Sequence, residues 1–569
     1  MSRDRSSGIS DGAMLAVIAL GLGLLLALWL WGGIAGAAFG RGWPGVRFSA
    51  LLSVVVRLPG RLAHPALAWP PSVRHQLPGP AGFYGALGLL AGATAGLAGV
   101  AARTGLWAAM RGNREGARWA GTGELRRLHA GARRRGTGRR VGRLALGRYR
   151  GRLLHAEERH ALVAFGPPQS GKSAGLAVPA LLEWDGPAVA SSIKTDLLAS
   201  TVARRRSLGS VFVFDPFELS GAASQTWSPL QGARTWDGAL EVAWRLAAAG
   251  ELDQRGVEGG DFWAIAAEQR LAPLLFTAAA TGSTMDDVVR WTYGQGSREL
   301  YETVTRLTGS ARNETELQGA YAAYDALRAF ESQADRTRSS IEATAQALLR
   351  GYRFARVLRS AQSSQIDADR LLDEKATLYL IGDAKASKLL RPIFLALVSE
   401  IVDRAYERAT IAGGKLALGL LLCLDEAGNV APLPNLAEIA STAPSHNIQL
   451  VSIFHDLAQA RSRYGRQAET VVNSHRARML LPGVADLDTL RYFAGLVGEE
   501  ESRETTRTFG AGGTTRTSGR RRRPLVAPEA LRQLREGHAL LLYGSLPPAV
   551  LRLRLWFADR RLRKLAGAS

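Results

Sequence analysis

The sequence predicts an α/β protein with a mostly parallel sheet, an inserted all-α domain, and two transmembrane helices at the N-terminus. Three observations carry this. Two long uncharged apolar runs lie near the N-terminus. After Arg152, short apolar runs alternate with longer helical patterns, as βα units around a parallel sheet require. From about 230 to 365 that alternation lapses into helical periodicity alone. At 569 residues the chain exceeds what one hydrophobic core organises, so more than one folded unit is expected.

The first run, Ala13 to Phe39, carries no charge and is longer than the roughly 20 residues a helix needs to cross a bilayer. Ala35-Gly36-Ala37 resembles a signal-peptide cleavage site, but the apolar region is far longer than a signal peptide uses. The second run, Ala81 to Ala102, is rich in glycine and alanine, as suits a helix packing closely against another within the membrane. Between Arg103 and Arg152 stand fifteen arginines against only Glu115 and Glu124, which places the following chain in the cytoplasm. The loop 40–80 then faces outward, with five arginines of its own and no acid.

In the body, strands are expected at 161–165, 187–191, 211–214, 377–382, 418–424, 448–454, 477–481 and 539–544. Most are apolar on both faces, as buried parallel strands are. The insert, 231–365, should include a helix opened by a capping box at Ser283 and Asp286. Thr505 to Arg523 (TTRTFGAGGTTRTSGRRRR) mixes glycine, threonine and arginine without periodicity and reads as a flexible loop, solvated or in contact with DNA.

The formal net charge is +22, which points to an anionic partner, nucleic acid or an anionic membrane surface. Only seven of the 72 basic residues are lysine, a skew that a GC-rich genome would also produce. The single cysteine, Cys423, excludes an intrachain disulfide and fits a reduced interior. The nine histidines have no cysteine or carboxylate cluster at ligand spacing, so no metal site built from them is expected.

One of those few lysines sits in GPPQSGKS, residues 166–173. Gly166, Pro167, Pro168, Gln169, Ser170, Gly171, Lys172 and Ser173 fit the phosphate-binding pattern G-x-x-x-x-G-K-[ST], between an expected strand and an expected helix. The glycines let backbone N–H groups wrap a β-phosphate at a helix N-terminus. Lys172 would reach the β- and γ-phosphates, and the Ser173 hydroxyl would ligate Mg²⁺. ATP and Mg²⁺ are the cofactors this implies. Hydrolysis needs a second element, and LGLLLCLDEAG supplies an apolar strand ending in Asp425 and Glu426, one carboxylate for the metal and one for the attacking water. His455, at the end of the next strand, could contact the γ-phosphate or sense its loss.

With these residues in place the chain resembles the type IV secretion coupling proteins of conjugative elements, of the TraG and TraD type. The likeness runs through ARWAGTGELRRL (117–128), the segment 155–198 with its P-loop, FDPF (214–217), WSPL (227–230), RTRSSIEATA (336–345), 421–465 with Asp425 and Glu426, 471–490, and RPLVAPEALRQL (523–534). It implies a RecA-like P-loop ATPase assembled as a hexamer in the inner membrane, its ATPase domain in the cytoplasm. Such a motor pumps single-stranded DNA, usually with an attached relaxase, toward the type IV secretion channel proteins. The organisation that follows is a cytoplasmic tail (1–12), transmembrane helices (13–39 and 81–102) flanking an external loop (40–80), and a basic linker (103–152). An ATPase domain (153–230 and 366–569) then surrounds the insert, which would help choose substrates. The chain departs from the family pattern at His455, commonly glutamine, and at Pro444, where some relatives carry an arginine acting across the subunit interface. Arg461, Arg463 and Arg476 are the nearby substitutes, and Lys194 and Asp196 match a further family element near the nucleotide or the pore. Two other readings of the same residues are a secretion ATPase for protein substrates only, and an ATP-binding scaffold with little turnover.

Overall fold

The computed structural model describes residues 11–104, 116–129, 143–158, 160–254, 260–510 and 513–567. Most of the expected tail (1–12) and much of the basic linker (103–152) therefore lie outside the described residues. The chain divides into two units, Met1–Glu115 and Gly116–Ser569.

In the first unit, helices Asp11–Phe39 and Pro80–Thr104 flank a segment built of short turns and one helix, Leu51–Arg57. The core is aromatic. Trp31 meets Phe83 edge to face at 5.4 Å and Trp69 at 5.9 Å, and its indole N–H donates to the Phe83 carbonyl at 2.7 Å. Glycines make that approach possible: a Cβ on Gly32 would lie 2.6 Å from the Trp69 ring, and one on Gly33 2.1 Å from Trp43. Among the described residues only Gly21–Phe39 is long and apolar enough to cross a membrane.

The second unit is organised by an eleven-stranded sheet. Its strands are β1 (Ala145–Tyr149), β2 (Arg152–His155), β3 (Leu162–Phe165), β4 (Ala188–Ser192), β5 (Val211–Phe214), β6 (Thr377–Ile381), β7 (Leu420–Leu424), β8 (Ile448–Phe454), β9 (Ala477–Leu480), β12 (His538–Tyr543) and β13 (Ala549–Arg552). A separate ribbon pairs β10 (Glu499–Gly510) with β11 (Gly513–Pro524). The order is β2-β1-β13-β12-β9-β3-β8-β7-β4-β6-β5. The seven strands from β9 to β5 are parallel, and β12, β13, β1 and β2 extend the sheet antiparallel.

The central strands show no polar alternation because both faces are covered. Val163, Phe165, Leu422 and Leu424 enter one core, while Leu162, Ala164, Leu421 and Cys423 enter another on the opposite face. The first core is shared with helices that run between β5 and β6, such as Gly260–Thr281 and Met285–Thr292, and with the long helix Ala384–Ile411.

Two expectations are corrected. The capping box lies one residue later: the Asp287 carboxylate accepts from the Thr284 N–H at 2.8 Å and its hydroxyl at 3.1 Å. That register puts Met285, Val288 and Trp291 inward, so burial of the apolar stripe sets where the helix starts. The expected flexible loop 505–523 instead belongs to the β10–β11 ribbon, in continuous register from Glu499↔Pro524 to Gly510↔Gly513. Threonine favours strands, and the ribbon's foot is tied by Arg523–Glu500 at 2.7 Å.

Candidate functional site

β3, β8 and β7 are neighbours, and the site forms at their carboxyl ends, where parallel α/β sheets place ligands. The ladder continues past β3 into the P-loop: the Gly166 N–H donates to Phe454 O at 3.1 Å, and the Leu481 N–H donates to Phe165 O at 2.8 Å. Gly166 has no room for a side chain, since a Cβ would meet Ser170 Oγ at 2.5 Å and Leu481 Cβ at 2.9 Å. Gly171 takes φ of 89° and Gln169 of 65°, which turns the loop back over the start of the helix.

That helix opens with a π turn, Ser173–Ala177, before the α-helix Val178–Glu183. Pro179 has no N–H to give the preceding turn. The Val178 N–H reaches back to Ser173 O, and the Ala174 carbonyl accepts from the Trp556 N–H at 3.0 Å instead. A π turn of this kind is a frequent mark of functional sites. At the other end, the buried Arg205 donates to Trp184 O and Gly186 O, each at 2.5 Å, and to Thr377 Oγ1 at 2.6 Å. The guanidinium thus caps the helix C-terminus, where the dipole favours a cation.

Three polar links join the expected residues. The Ser173 hydroxyl donates to Asp425 Oδ2 at 2.5 Å. The Lys172 ammonium donates to Gly166 O at 2.6 Å and to His455 Nδ1 at 2.9 Å. A neutral imidazole that accepts at Nδ1 carries its proton on Nε2, and Nε2 stands 3.6 Å from Glu426 Oε1. Asn429 Nδ2 donates to the other Glu426 oxygen at 3.0 Å. Glu426 itself has φ of 62°, a left-handed conformation worth about 1–2 kcal/mol of strain in a side-chain-bearing residue.

The two carboxylates differ in environment. Asp425 is 3% exposed. Burial pushes its pKa up, with the Ser173 hydrogen bond acting against that and the Glu426 charge reinforcing it. For Glu426, burial also acts upward, but hydrogen bonds from His455 and Asn429 prevail and hold its carboxyl below the usual range. Burial lowers the Lys172 pKa, and the neighbouring Glu426 and Asp425 resist the shift.

Asp425 Oδ1 is buried with no hydrogen-bond partner. A bare carboxylate oxygen beside a hydroxyl at a helix start fits a hard divalent cation of the Mg²⁺ type, with the remaining ligands drawn from phosphate and water. Among the described residues no group of three or more His, Cys, Asp or Glu could hold a metal by itself. Lys194 lies close enough to Lys172 to lower its pKa slightly, and Asp196 begins the next helix, Asp196–Arg206.

The remaining arginines stand apart from the loop's chemistry. Arg461 is held by Glu469 at 2.9 Å and Asp488 at 2.8 Å, and Arg463 donates to Gly428 O at 2.7 Å. Arg476 precedes β9, and Pro444 precedes β8, both at the sheet end opposite the loop. Sequence reasoning did not single out Asn429 or Gln459, whose side-chain oxygen accepts from the His455 N–H at 2.7 Å. Their signal was local: Asn429 follows Glu426 by three residues, and Gln459 sits in the first turn after the N-cap Asp456.

A family model described as type IV secretory system conjugative DNA transfer matches residues 118–568. Protein VirD4 of Rhizobium rhizogenes is 24% identical over 481 residues, covering 79% of this chain and 66% of that protein. Conjugal transfer protein TraG of Escherichia coli is 25% identical over 453 residues, covering 72% and 68%. The chain thus spans about two thirds of the length of these curated relatives. In fold it is similar to the bacterial conjugative coupling protein TrwBΔN70, with TM-score 0.56, 18% identity, and coverage of 78% of this chain and 93% of that one. TrwB in complex with ADP and Mg²⁺ is similar at TM-score 0.54, with 18% identity over 78% and 94% of the two chains. The match of the family model over most of the sequence, on a fold that gathers the P-loop and the acidic strand end, places the chain in the type IV secretory system conjugative DNA transfer family.

Proposed function

We propose that this chain is a membrane-anchored ATPase that couples ATP hydrolysis to passage of single-stranded DNA, alone or with its relaxase, through a type IV secretion channel. One observation carries the reading: the P-loop Lys172, the Ser173–Asp425 pair and the Glu426–His455 pair meet at the carboxyl ends of central strands with Asp425 Oδ1 unpartnered. The relatives add support, since TrwB is solved with the ATP analogue ADPNP and with ADP and Mg²⁺.

In this reading Gly166–Ser173 cradle the phosphates, and Lys172 exchanges its bonds to Gly166 O and His455 for phosphate oxygens. Ser173 and Asp425 hold Mg²⁺, whose chemistry is to neutralise charge on the transferred group. Glu426, kept ionised by His455 and Asn429, orients and deprotonates the attacking water. His455 links Lys172 to Glu426, so loss of the γ-phosphate is felt at the base. Helices 13–39 and 81–102 anchor the chain as a multi-pass inner-membrane protein with the ATPase in the cytoplasm, and copies assemble as a hexamer.

The test is ATP turnover by the purified chain with and without single-stranded DNA. DNA should raise the rate, and Glu426→Gln should lower it by about 10²- to 10⁴-fold while nucleotide binding persists. A rate indifferent to DNA would remove the translocase reading, and a Gln variant as fast as the wild type would remove Glu426 as base.

A further inference from the structure

The antiparallel extension of the sheet carries a row of basic residues to the P-loop end. β12 is in register with β9 at Leu540↔Leu480, and β9 with β3 at Leu480↔Phe165, so His538 lies at the same sheet end as Gly166. Arg552 on β13 stands directly between His538 on β12 and Arg148 on β1. Beyond Arg552 the chain crosses back to the nucleotide loop, where the Trp556 N–H donates to Ala174 O at 3.0 Å and a Cβ on Gly171 would lie 3.4 Å from Leu555 Cδ2.

This row borders a cavity of about 740 Å³. Six arginines line it, Arg148, Arg535, Arg552, Arg554, Arg560 and Arg561, against two carboxylates, Glu536 and Asp559. The nearby acids serve its floor: the buried Arg554 is held by Glu183 at 2.8 Å and Asp559 at 3.0 Å. The same two carboxylates reach Arg561 and Arg148 only at 3.7 and 3.5 Å. Arg535, Arg552 and Arg560 are exposed and make no ion pair among the described residues.

Like charges facing one another across a strand pair are destabilising, so Arg148 opposite Arg552 is a cost the fold carries. The backbone beneath is fixed, with the Leu553 N–H donating to Gly537 O at 2.7 Å. Guanidinium forks match phosphate geometry, and three of them uncompensated around one cavity call for a polyanion. The apolar lining is confined to Leu553, Leu555 and Ala558, too little for insertion into a bilayer. Phe557, 53% exposed between two lining residues, suits stacking on a base.

We infer that this cavity is a nucleic-acid contact, in which Arg535, Arg552 and Arg560 neutralise phosphates of a single DNA strand without reading its sequence. The inference rests on the DNA-transfer reading above and gives that function a contact surface beside the nucleotide loop.

The test is binding of a mixed-sequence single-stranded oligonucleotide to the full chain in detergent as a function of salt. Each phosphate neutralised contributes about 0.7 to the slope of log affinity against log salt. The R535S/R552S/R560S variant, whose three positions are all exposed, should reduce the slope by about 2, so the wild type's advantage shrinks about 20-fold between about 50 and 200 mM salt. Replacing the same three by lysine should preserve the slope, and a lysine variant that loses as much as the serine variant would overturn charge neutralisation as the basis of the contact. A wild type that binds DNA and a serine variant that keeps its slope would overturn the cavity contact and leave the transfer reading standing, including the case where only binding of a polyglutamate peptide is lost. A wild type that binds no DNA would overturn both.

Discussion

Replacing Asp425 by asparagine should make the nucleotide-free protein more stable and the nucleotide-loaded protein less so. In the wild type the carboxylate is buried, Oδ2 is satisfied by Ser173, and Oδ1 has no partner. A raised carboxyl pKa means that the ionised form costs folding free energy at neutral pH, a cost that fades as the pH falls through the folded pKa. An unsatisfied buried group costs about 1–3 kcal/mol. Asparagine keeps the shape and an acceptor for Ser173 but leaves an amide N–H₂ where Oδ1 was, and its neutral hydrogen bond is weaker. The net gain should therefore be about 1 kcal/mol. Mg²⁺–ATP at about 100 times its Kd should stabilise the wild type by about 2.7 kcal/mol, most of which the variant forfeits with its metal ligand. The order of the two proteins then reverses on adding nucleotide. Urea unfolding of the detergent-solubilised chain, followed by tryptophan fluorescence with and without Mg²⁺–ATP, reads both halves. A variant that is less stable without nucleotide yet gains as much from Mg²⁺–ATP would refute the reasoning and reduce Asp425 to a structural tie for Ser173.

Arg205→Met should cost about 2–4 kcal/mol, because the Trp184 and Gly186 carbonyls lose their donor while the burial of a charge is relieved. A urea midpoint within about 0.5 kcal/mol of the wild type would show that the helix end is satisfied otherwise. Asp559 should make the protein acid-sensitive. Burial acts to raise its pKa, but bonds from Arg554, the Leu562 N–H and Arg148 hold it at about 2. Its contribution, about 2–3 kcal/mol, is fully present above its ordinary value near 3.8 and is lost as the pH falls through about 2; Asp559→Asn should flatten that part of the pH–stability profile. His455→Ala should break the link between Lys172 and Glu426, and the resulting fall in kcat at little-changed nucleotide affinity is readable in steady-state kinetics.

The strands that could be read from the chain were those whose burial is written locally. Eight apolar runs became β3 to β9 and β12, because a strand covered on both faces must be apolar throughout. β1, β2 and β13 escaped: ALGRY and RLLH are short, arginine-bearing runs that pair with each other across a tight turn and join the sheet through a distant segment, Arg148 facing Arg552 in register. The ribbon escaped because its alternation is of charge and threonine, without the apolar period that marks a strand.

For the site, the sequence by itself determined the parts: a glycine loop with one lysine, an acidic pair closing an apolar strand, and a histidine closing the next. Their meeting was decided by strand order, which is non-local. β8 lies between β3 and β7, and this brings Lys172 to His455 across 283 positions and Ser173 to Asp425 across 252. The tertiary structure also decided in which direction each carboxylate's pKa is moved. Burial with an unpartnered oxygen raises Asp425, while the adjacent Glu426 is turned by its left-handed backbone toward donors that favour its ionised form. No property of the dipeptide distinguishes the two, because the difference lies in what each side chain meets once the sheet has closed around them.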